Sequence, residues 1–254
     1  MRLGFSCTTL AFGWVLGVTL SPTCTFGQKA TEWTYKGPEG PSDWGKLDPA
    51  FATCAVGNTQ SPIDIKNAKK SDLPPLKFDY KAVPLNIIDN GHTVQVNYAP
   101  GSTLTVGDKT YVLKQFHFHH PSEEHINGQG YDMVAHLVHA DADGHLAVVA
   151  VLLKKGPSNP FLNTVWTNIP KEKEKAVDVS GVSLNVNDLL PADHGYFTFA
   201  GSLTTPPCSE GVTWYVLKNQ SSLSVEQLQA FAKIYPLNAR PIQASNNREI
   251  LETR

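Results

Sequence analysis

Six of the nine histidines of this chain lie within residues 115–139. His117 and His119 flank one phenylalanine in an apolar, strand-like run. In a strand both imidazoles point to the same face, with Cα atoms about 6.6–6.8 Å apart along the strand. His136 lies in a second apolar run, beyond a glycine-containing segment in which the chain can reverse. Three neutral imidazoles with a fourth position left open are the ligands of a catalytic zinc site.

A His-x-His pair alone is weak support for a metal site, because histidines satisfied by hydrogen bonds in a core or on a surface are commoner. The third histidine is what favours metal binding. A structural zinc site would be closed and would usually include several cysteines. Only Cys54 and Cys208 follow the N-terminal segment, and we predict that they form a disulfide. The pattern therefore predicts a catalytic metal site rather than a structural one.

Short extended runs separated by turn residues dominate the chain and predict the scaffold of this site. Residues 103–106 and 111–113 read as a hairpin across a Gly-Asp-Lys turn, and residues 145–153 as a strand buried on both faces. Helices are few: Ser224 and Gln227 form a capping box, and Asn159-Pro160 starts a second short helix. We predict a mainly β (α+β) single domain with short peripheral helices.

The first residues have the layout of a secretory signal peptide, with a positive start, an apolar stretch and then small and polar residues. We assign residues 1–27 to it, with cleavage as late as residue 30 as the alternative, and residues 28–254 to the mature domain. Export to an oxidising compartment favours a bridge between Cys54 and Cys208 over two buried thiols. The mature chain has no apolar segment long enough to span a membrane, and its formal net charge of −2 shows no basic stripe for nucleic acid.

Taken together, several motifs make the mature chain resemble the α-class carbonic anhydrases over nearly all of its length. None of them would be specific alone, but their order and spacing are. They are Gln60-Ser61-Pro62-Ile63, Asn90-Gly91-His92, Gln115-Phe116-His117-Phe118-His119, Ser122-Glu123, His136-Leu137-Val138-His139, the segment from Gly201 to Cys208, and Asn238-Ala239-Arg240-Pro241.

The resemblance implies a central twisted, mostly antiparallel sheet with Zn²⁺ bound by His117, His119 and His136 at the base of a cavity. It also implies reversible hydration of carbon dioxide to bicarbonate and a proton, by attack of zinc-bound hydroxide. Thr204 would accept a hydrogen bond from the hydroxide and donate one to Glu123. Outside these motifs, Thr204 would be an ordinary turn residue and Glu123 an exposed loop carboxylate.

Proton export is the second task that the resemblance assigns. His92 matches the position of the family's proton shuttle, and an imidazole titrates near physiological pH. Tyr35, Asn90 and Gln95 match polar positions that order the connecting waters. A single histidine after a turn would otherwise be an unremarkable surface residue.

Substrate contacts follow from the same resemblance, since carbon dioxide is apolar and requires an apolar pocket beside the metal. Thr205 would contact bicarbonate. Without the resemblance, the residues at the family's pocket-lining positions would be ordinary core residues, and we expect most of them both to pack in the core and to line the pocket. They are Val138, Val148, Leu203, Val212 and Trp214.

The hydrogen-bond partners of the metal-binding histidines depart from the family pattern at one position. Gln115 and the backbone carbonyl of Asn238 match the usual partners of the first two histidines. The third histidine usually meets a glutamate two residues upstream, but Val134 stands there, and an extra carboxylate, Glu124, follows Glu123. We therefore predict that Glu124 reaches His136 from an adjoining strand and accepts its free N–H at about 2.7–3.2 Å. The alternative is that Glu124 points to solvent or pairs with His125.

Three functions remain as alternatives at this point. A catalytically silent binding protein of the same fold is the main competitor to an active enzyme, but such relatives typically lose a metal histidine, and this chain keeps all three. Zinc storage without catalysis is more remote. For the enzyme we predict carbon dioxide and bicarbonate as partners, a monomer or homodimer, and a periplasmic or secreted location.

Overall fold

The computed structural model describes residues 31–254. The predicted signal peptide, with either of its proposed ends, lies outside the described residues. Within residues 31–254, no helix is long and apolar enough to cross a lipid bilayer.

Strands account for most of the regular structure, because β-branched and aromatic residues recur in short runs bounded by turn residues. The fifteen strands of residues 31–254 are β1 (Asp64–Ile65), β2 (Lys69–Ser71), β3 (Leu76–Asp79), β4 (Val83–Asp89), β5 (Val94–Asn97), β6 (Thr103–Val106), β7 (Lys109–His119), β8 (His125–Ile126), β9 (Met133–Ala140), β10 (Leu146–Lys155), β11 (Val177–Leu184), β12 (Tyr196–Ser202), β13 (Glu210–Leu217), β14 (Ser221–Leu223) and β15 (Leu251–Thr253).

The helices are short and peripheral, as predicted. Asn159 caps one of them, and the capping box of Ser224 and Gln227 starts another. The α-helices are α1 (Trp44–Leu47), α2 (Thr53–Val56), α3 (Pro160–Thr167) and α4 (Val225–Ile234), with 3₁₀ turns at Gly37–Glu39, Pro49–Phe51 and Val186–Leu189.

One large sheet organises the molecule, in the order β11-β4-β5-β7-β9-β10-β13-β12-β15-β2, with further strands beside β7 and β10. Most neighbours are antiparallel, as expected. Parallel pairs are also present: β10 runs parallel to β13 and β14, and β15 runs parallel to β2. The fold class is therefore confirmed as mainly β, with a mixed rather than uniformly antiparallel sheet.

The two faces of the sheet divide the core from the site. Phe116 and Phe118 of β7 are fully buried in the larger hydrophobic cluster, while His117 and His119 alternate with them and point to the opposite face. The strand predicted at residues 145–153 is β10, and all its residues from Ala147 to Leu153 are buried. The sheet that carries the site therefore includes a strand that is buried on both faces.

The predicted disulfide is present and links Cys54 in α2 to Cys208, with an S–S distance of 2.07 Å. Cys208 directly follows the segment that carries Thr204 and Thr205, and its N–H donates to the Thr205 carbonyl at 2.8 Å. The bridge thus ties the loop that bears two predicted site residues to the N-terminal part of the domain.

Thiol titration of denatured, non-reduced protein is expected to detect no free cysteine after the predicted signal peptide is removed. Reduction should expose two thiols and lower stability by about 2–5 kcal/mol, because the bridge closes a very long loop. Two titratable thiols before reduction would contradict the prediction. Chemical denaturation of the oxidised and reduced forms measures the stability difference.

Candidate metal centre and active site

Strand register brings the three histidines together. Antiparallel pairing of β7 with β9 sets His117 opposite His136, while His119 lies opposite Val134. The ring centroids of the three histidines are 5.0, 5.5 and 4.7 Å apart. Each ring offers a nitrogen that lies within 4.8 Å of the other two. The sequence-predicted triad is therefore one cluster.

Two of these rings are oriented by acceptors that the sequence predicted. His117 Nδ1 lies 2.8 Å from Gln115 Oε1, and His119 Nδ1 lies 2.7 Å from the backbone oxygen of Asn238. An acceptor at Nδ1 fixes the tautomer in which Nε2 carries a lone pair. The Nε2 atoms of both rings are thus left for another partner.

The third ring is held by the carboxylate that departs from the family pattern. His136 Nε2 lies 3.0 and 3.2 Å from the two oxygens of Glu124, which is fully buried. Burial alone would lower the pKa of His136, but the carboxylates of Glu124 and Glu123 together raise it. This contact leaves Nδ1 of His136 as the ring nitrogen that Glu124 does not engage, 3.8 Å from Glu123 Oε2.

Glu124 reaches His136 by a route that differs from the predicted one. It lies in the loop just before β8, a strand that pairs with β1 outside the main sheet, and not on a strand adjoining β9. The Ser122 hydroxyl donates to the Glu124 carbonyl at 3.1 Å and helps to fix this loop. Val134 is itself completely buried in a hydrophobic cluster, so the carboxylate comes from the loop side of the ring.

The donor set fits a zinc ion. His119 Nε2 is buried and has no hydrogen-bond partner within residues 31–254, and an unpaired buried nitrogen is costly unless a metal ion or a hydrogen-bond donor satisfies it. Burial, reinforced by neighbouring His136, lowers the pKa of His117 to about 3. Burial also places the pKa of His119 well below its usual value. Zn²⁺ binds neutral imidazoles, so His117 and His119 are already in the binding form, and His136, whose pKa is raised, would release its proton on binding.

Glu123 lies beside this cluster with almost no exposure to solvent. Its Oε1 accepts a hydrogen bond from the backbone N–H of Arg240 at 2.7 Å. Burial raises the pKa of Glu123 to about 7, while contact with the Thr204 hydroxyl acts in the opposite direction. Glu123 Oε2 has no hydrogen-bond partner in the described part of the chain. This oxygen is therefore available to the Thr204 hydroxyl, the partner that the sequence predicts.

A polar cavity of about 130 Å³ opens from the histidine cluster. Eight of the predicted site residues line it: Tyr35, Asn90, His92, Gln95, Gln115, His117, His119 and Thr205. Thr93 and Trp33 also line it and were missed. The Trp33 ring stacks on the His92 ring, with centroids 3.7 Å apart and an interplanar angle of 7°. Burial lowers the pKa of His92, with an opposing effect of Glu174.

An apolar wall lies beside the same histidines. All five predicted carbon dioxide contacts fall in a single hydrophobic cluster, and the Trp214 ring lies 4.9 Å from the His136 ring. Cross-strand pairing sets Val148 opposite both Val138 and Trp214. The histidine cluster therefore lies between a polar cavity and an apolar wall, which suits attack by water on a small apolar molecule.

Comparison with known proteins agrees with this geometry. The family model described as eukaryotic-type carbonic anhydrase matches residues 39–254. A carbonic anhydrase of Pectobacterium carotovorum is 42% identical over 240 residues, covering 93% of this chain and 98% of the relative.

Two solved structures extend the comparison to the fold. A hyperthermostable carbonic anhydrase from an active hydrothermal vent chimney is 43% identical with a TM-score of 0.85, covering 88% of this chain and 100% of that one. The α-carbonic anhydrase of Photobacterium profundum is 47% identical with a TM-score of 0.82, covering 87% and 100%. The chain belongs to the α-class, eukaryotic-type carbonic anhydrase family.

Proposed function

We propose that this chain catalyses the reversible hydration of carbon dioxide to bicarbonate and a proton, with Zn²⁺ held by His117, His119 and His136. The observation that carries the proposal is the convergence of three oriented ring nitrogens between a polar cavity and an apolar wall. When bound, zinc supplies Lewis acidity that makes water a nucleophile near neutral pH, an effect for which this family is the standard example.

Thr204 and Glu123 orient the attacking water in this proposal. The Arg240 N–H fixes one oxygen of Glu123, so the other is free to accept from the Thr204 hydroxyl. Once its hydrogen points to Glu123, the Thr204 oxygen can only accept a further hydrogen bond. Water in the cavity then donates to Thr204 and turns its lone pair toward the carbon of the substrate.

The apolar wall binds carbon dioxide because it contributes no competing hydrogen-bonding group. Val138, Val148, Leu203, Val212 and Trp214 exclude water from one side of the reacting carbon. Thr205 lies on the polar side, in the cavity wall, where its backbone or hydroxyl contacts bicarbonate. The charged product is thereby drawn toward the cavity mouth and away from the apolar wall.

His92 exports the proton through waters ordered by Tyr35, Asn90 and Gln95. His92 and these three residues line the same cavity. Asn90 Nδ2 lies 3.4 Å from Gln95 Oε1, so these two amides form one polar edge of the path. Because burial lowers the pKa of His92, the ring is neutral and able to accept a proton at neutral pH.

The His92→Ala variant is expected to slow turnover in weak buffer on the order of a hundredfold, the low end for a positioned proton-transfer group. Added imidazole should restore the rate, since only proton export is damaged. Stopped-flow hydration assays at several imidazole concentrations measure both effects. A loss of the same size that no buffer repairs would instead indicate damage at the metal site.

Zinc analysis paired with a carbon dioxide hydration assay tests the proposed function directly. We expect one zinc per chain and activity that a chelator removes and zinc restores. A fully zinc-loaded protein without hydration activity would favour the silent binding protein, and one that retains no zinc would contradict the metal assignment.

We also propose that the chain is exported to the periplasm or secreted. The predicted signal peptide and the disulfide between Cys54 and Cys208 support this location, because such bridges persist in oxidising compartments. A monomer or homodimer remains the prediction for the assembly.

A further inference from the structure

The turn that carries His92 is held at several backbone atoms. Asn90 Oδ1 accepts hydrogen bonds from the N–H groups of His92 and Thr93 at 3.0 and 2.9 Å. Asn238 Nδ2 donates to the His92 carbonyl at 3.0 Å. The main chain of His92 is thus fixed on both sides. The position of its ring consequently depends on where the whole turn is docked.

A buried carboxylate lies at the base of this turn. Asp89 is the last residue of β4 and follows Val83, Leu85 and Ile87 on the inward face of that strand. It is 4% exposed, and its Oδ1 accepts the Gly91 N–H at 3.0 Å. An inward carboxylate is costly without strong hydrogen-bond donors. One backbone N–H donor is not enough to offset the cost of burying the Asp89 carboxylate.

The second donor comes from the far end of the chain. The Tyr235 hydroxyl donates a short hydrogen bond to the same Asp89 oxygen, across a sequence separation of 146 residues. Burial, followed by the Asp89 carboxylate, raises the pKa of Tyr235, so its phenol stays protonated. Tyr235 terminates α4, where its N–H bonds to the Phe231 carbonyl and its ring packs against the Phe231 ring. The hydroxyl is therefore positioned by a helix end anchored in the core.

His92 occupies the wall between two cavities. One is the polar cavity at the metal ligands, and the other is an outer pocket of about 310 Å³. Trp33, Tyr35 and His92 line both of them, and Tyr235 lines only the outer pocket. A ring at this boundary can exchange protons with either side if it stays against Trp33. Small displacements of the turn would misplace it relative to both cavities.

We propose that Asp89 and Tyr235 are positioning residues for the proton shuttle. Their hydrogen bond docks the Asp89-Asn90-Gly91 turn on the end of α4 and so holds the His92 ring against Trp33 at the boundary of the two cavities. The inference rests on the proposed function, because it assigns to His92 the export of the proton. The side chains of both residues make their hydrogen bonds and ring contacts within residues 31–254 to the turn, to α4 and to Lys173.

Tyr235→Phe is the sharpest test, because it removes one hydroxyl and keeps the buried ring. Turnover (kcat) in weak buffer is expected to fall several-fold to about tenfold, within the penalty for a small misplacement of a catalytic group. The value of kcat/KM should stay unchanged, since it reports carbon dioxide conversion and not the later proton export. Imidazole should restore kcat. In a His92→Ala background the same change should have no further effect.

Tyr196→Phe is the matched control. Tyr196 is also buried, and its hydroxyl donates to the Pro74 carbonyl at 2.7 Å. The substitution likewise removes one hydroxyl hydrogen bond but leaves the His92 turn untouched, so kcat in weak buffer should match that of the unmodified protein. NMR gives a readout independent of activity: the His92 ring protons, shifted upfield by Trp33, should move in Tyr235→Phe and stay in place in Tyr196→Phe.

The outcomes separate this inference from the proposed function. If His92→Ala shows the imidazole-dependent loss but Tyr235→Phe keeps full kcat and unshifted His92 resonances, the positioning role is wrong and the proposed function stands. An equal loss of kcat and kcat/KM in Tyr235→Phe would also overturn the positioning role. A zinc-loaded native protein without hydration activity would overturn the proposed function and this inference with it.

Discussion

His119→Ala is expected to abolish zinc retention and carbon dioxide hydration together while the sheet remains folded. The Nε2 atom of His119 is the buried ring nitrogen without a hydrogen-bond partner in residues 31–254, and two remaining imidazoles cannot complete a three-histidine site. The hydrophobic clusters of both sheet faces do not depend on the metal. Zinc content, stopped-flow hydration and circular dichroism on the same sample measure the three parts of the prediction.

His145→Ala supplies the control of the same residue type. The His145 side chain is 71% exposed and pairs with Asp141 in the turn between β9 and β10, so its removal should change neither zinc content nor activity. A His119→Ala protein with full hydration activity would contradict the assignment of the metal site. Equal losses in both variants would point to a general effect of removing histidines.

Glu124→Ala is expected to weaken zinc binding about 10–100-fold, the usual penalty for losing the partner of a metal-bound histidine. Both Glu124 oxygens lie within 3.2 Å of His136 Nε2, and the buried ring would lose its acceptor and its fixed tautomer. Competition with a fluorescent zinc chelator measures the change in affinity. Hydration at limiting zinc should fall in parallel and recover at high zinc.

Two further variants separate the charge of Glu124 from its position. Glu124→Gln keeps an acceptor oxygen without the charge, so its affinity should lie between those of Glu124→Ala and the native chain. The exchange of Glu124→Val with Val134→Glu returns the carboxylate to the family's usual position and should recover part of the lost affinity. Unchanged affinity in Glu124→Ala would show that His136 does not need this partner.

Alternation along the strands made the histidine cluster predictable, whereas the roles of the other site residues were implied by the family resemblance. His117 and His119 are two residues apart in a strand, so their side chains lie on the same face. The apolar residues between and beside them indicate that the other face belongs to the core. The position of His136 in a second strand then required only that the two strands pair, which the register confirms. The capping box of Ser224 and Gln227, the hairpin and the buried strand β10 follow from similarly local patterns.

The parts that sequence could not supply are contacts between segments far apart in the chain. Glu124 was expected on a neighbouring strand, but it reaches His136 from a loop that belongs to a separate two-stranded sheet. Trp33 was missed because its partner, His92, lies on a distant turn; its spacing of two from Tyr35 in an extended segment was the available signal. The bond between Asp89 and Tyr235 has no local signature at all. Parallel pairing of β10 with β13 is likewise set by global topology.

The orientation of His119 by Asn238, and of Glu123 by Arg240, has a consequence for the order in which the protein matures. During synthesis, or passage through a membrane with the N-terminus first, all three metal ligands emerge about a hundred residues before the segment that orients His119 and Glu123. Closure of β15 on β2 spans an even longer stretch, and such distant pairings form slowly. A chain that ends before Asn238 therefore contains the three histidines but lacks the acceptor of His119 and the backbone donor to Glu123.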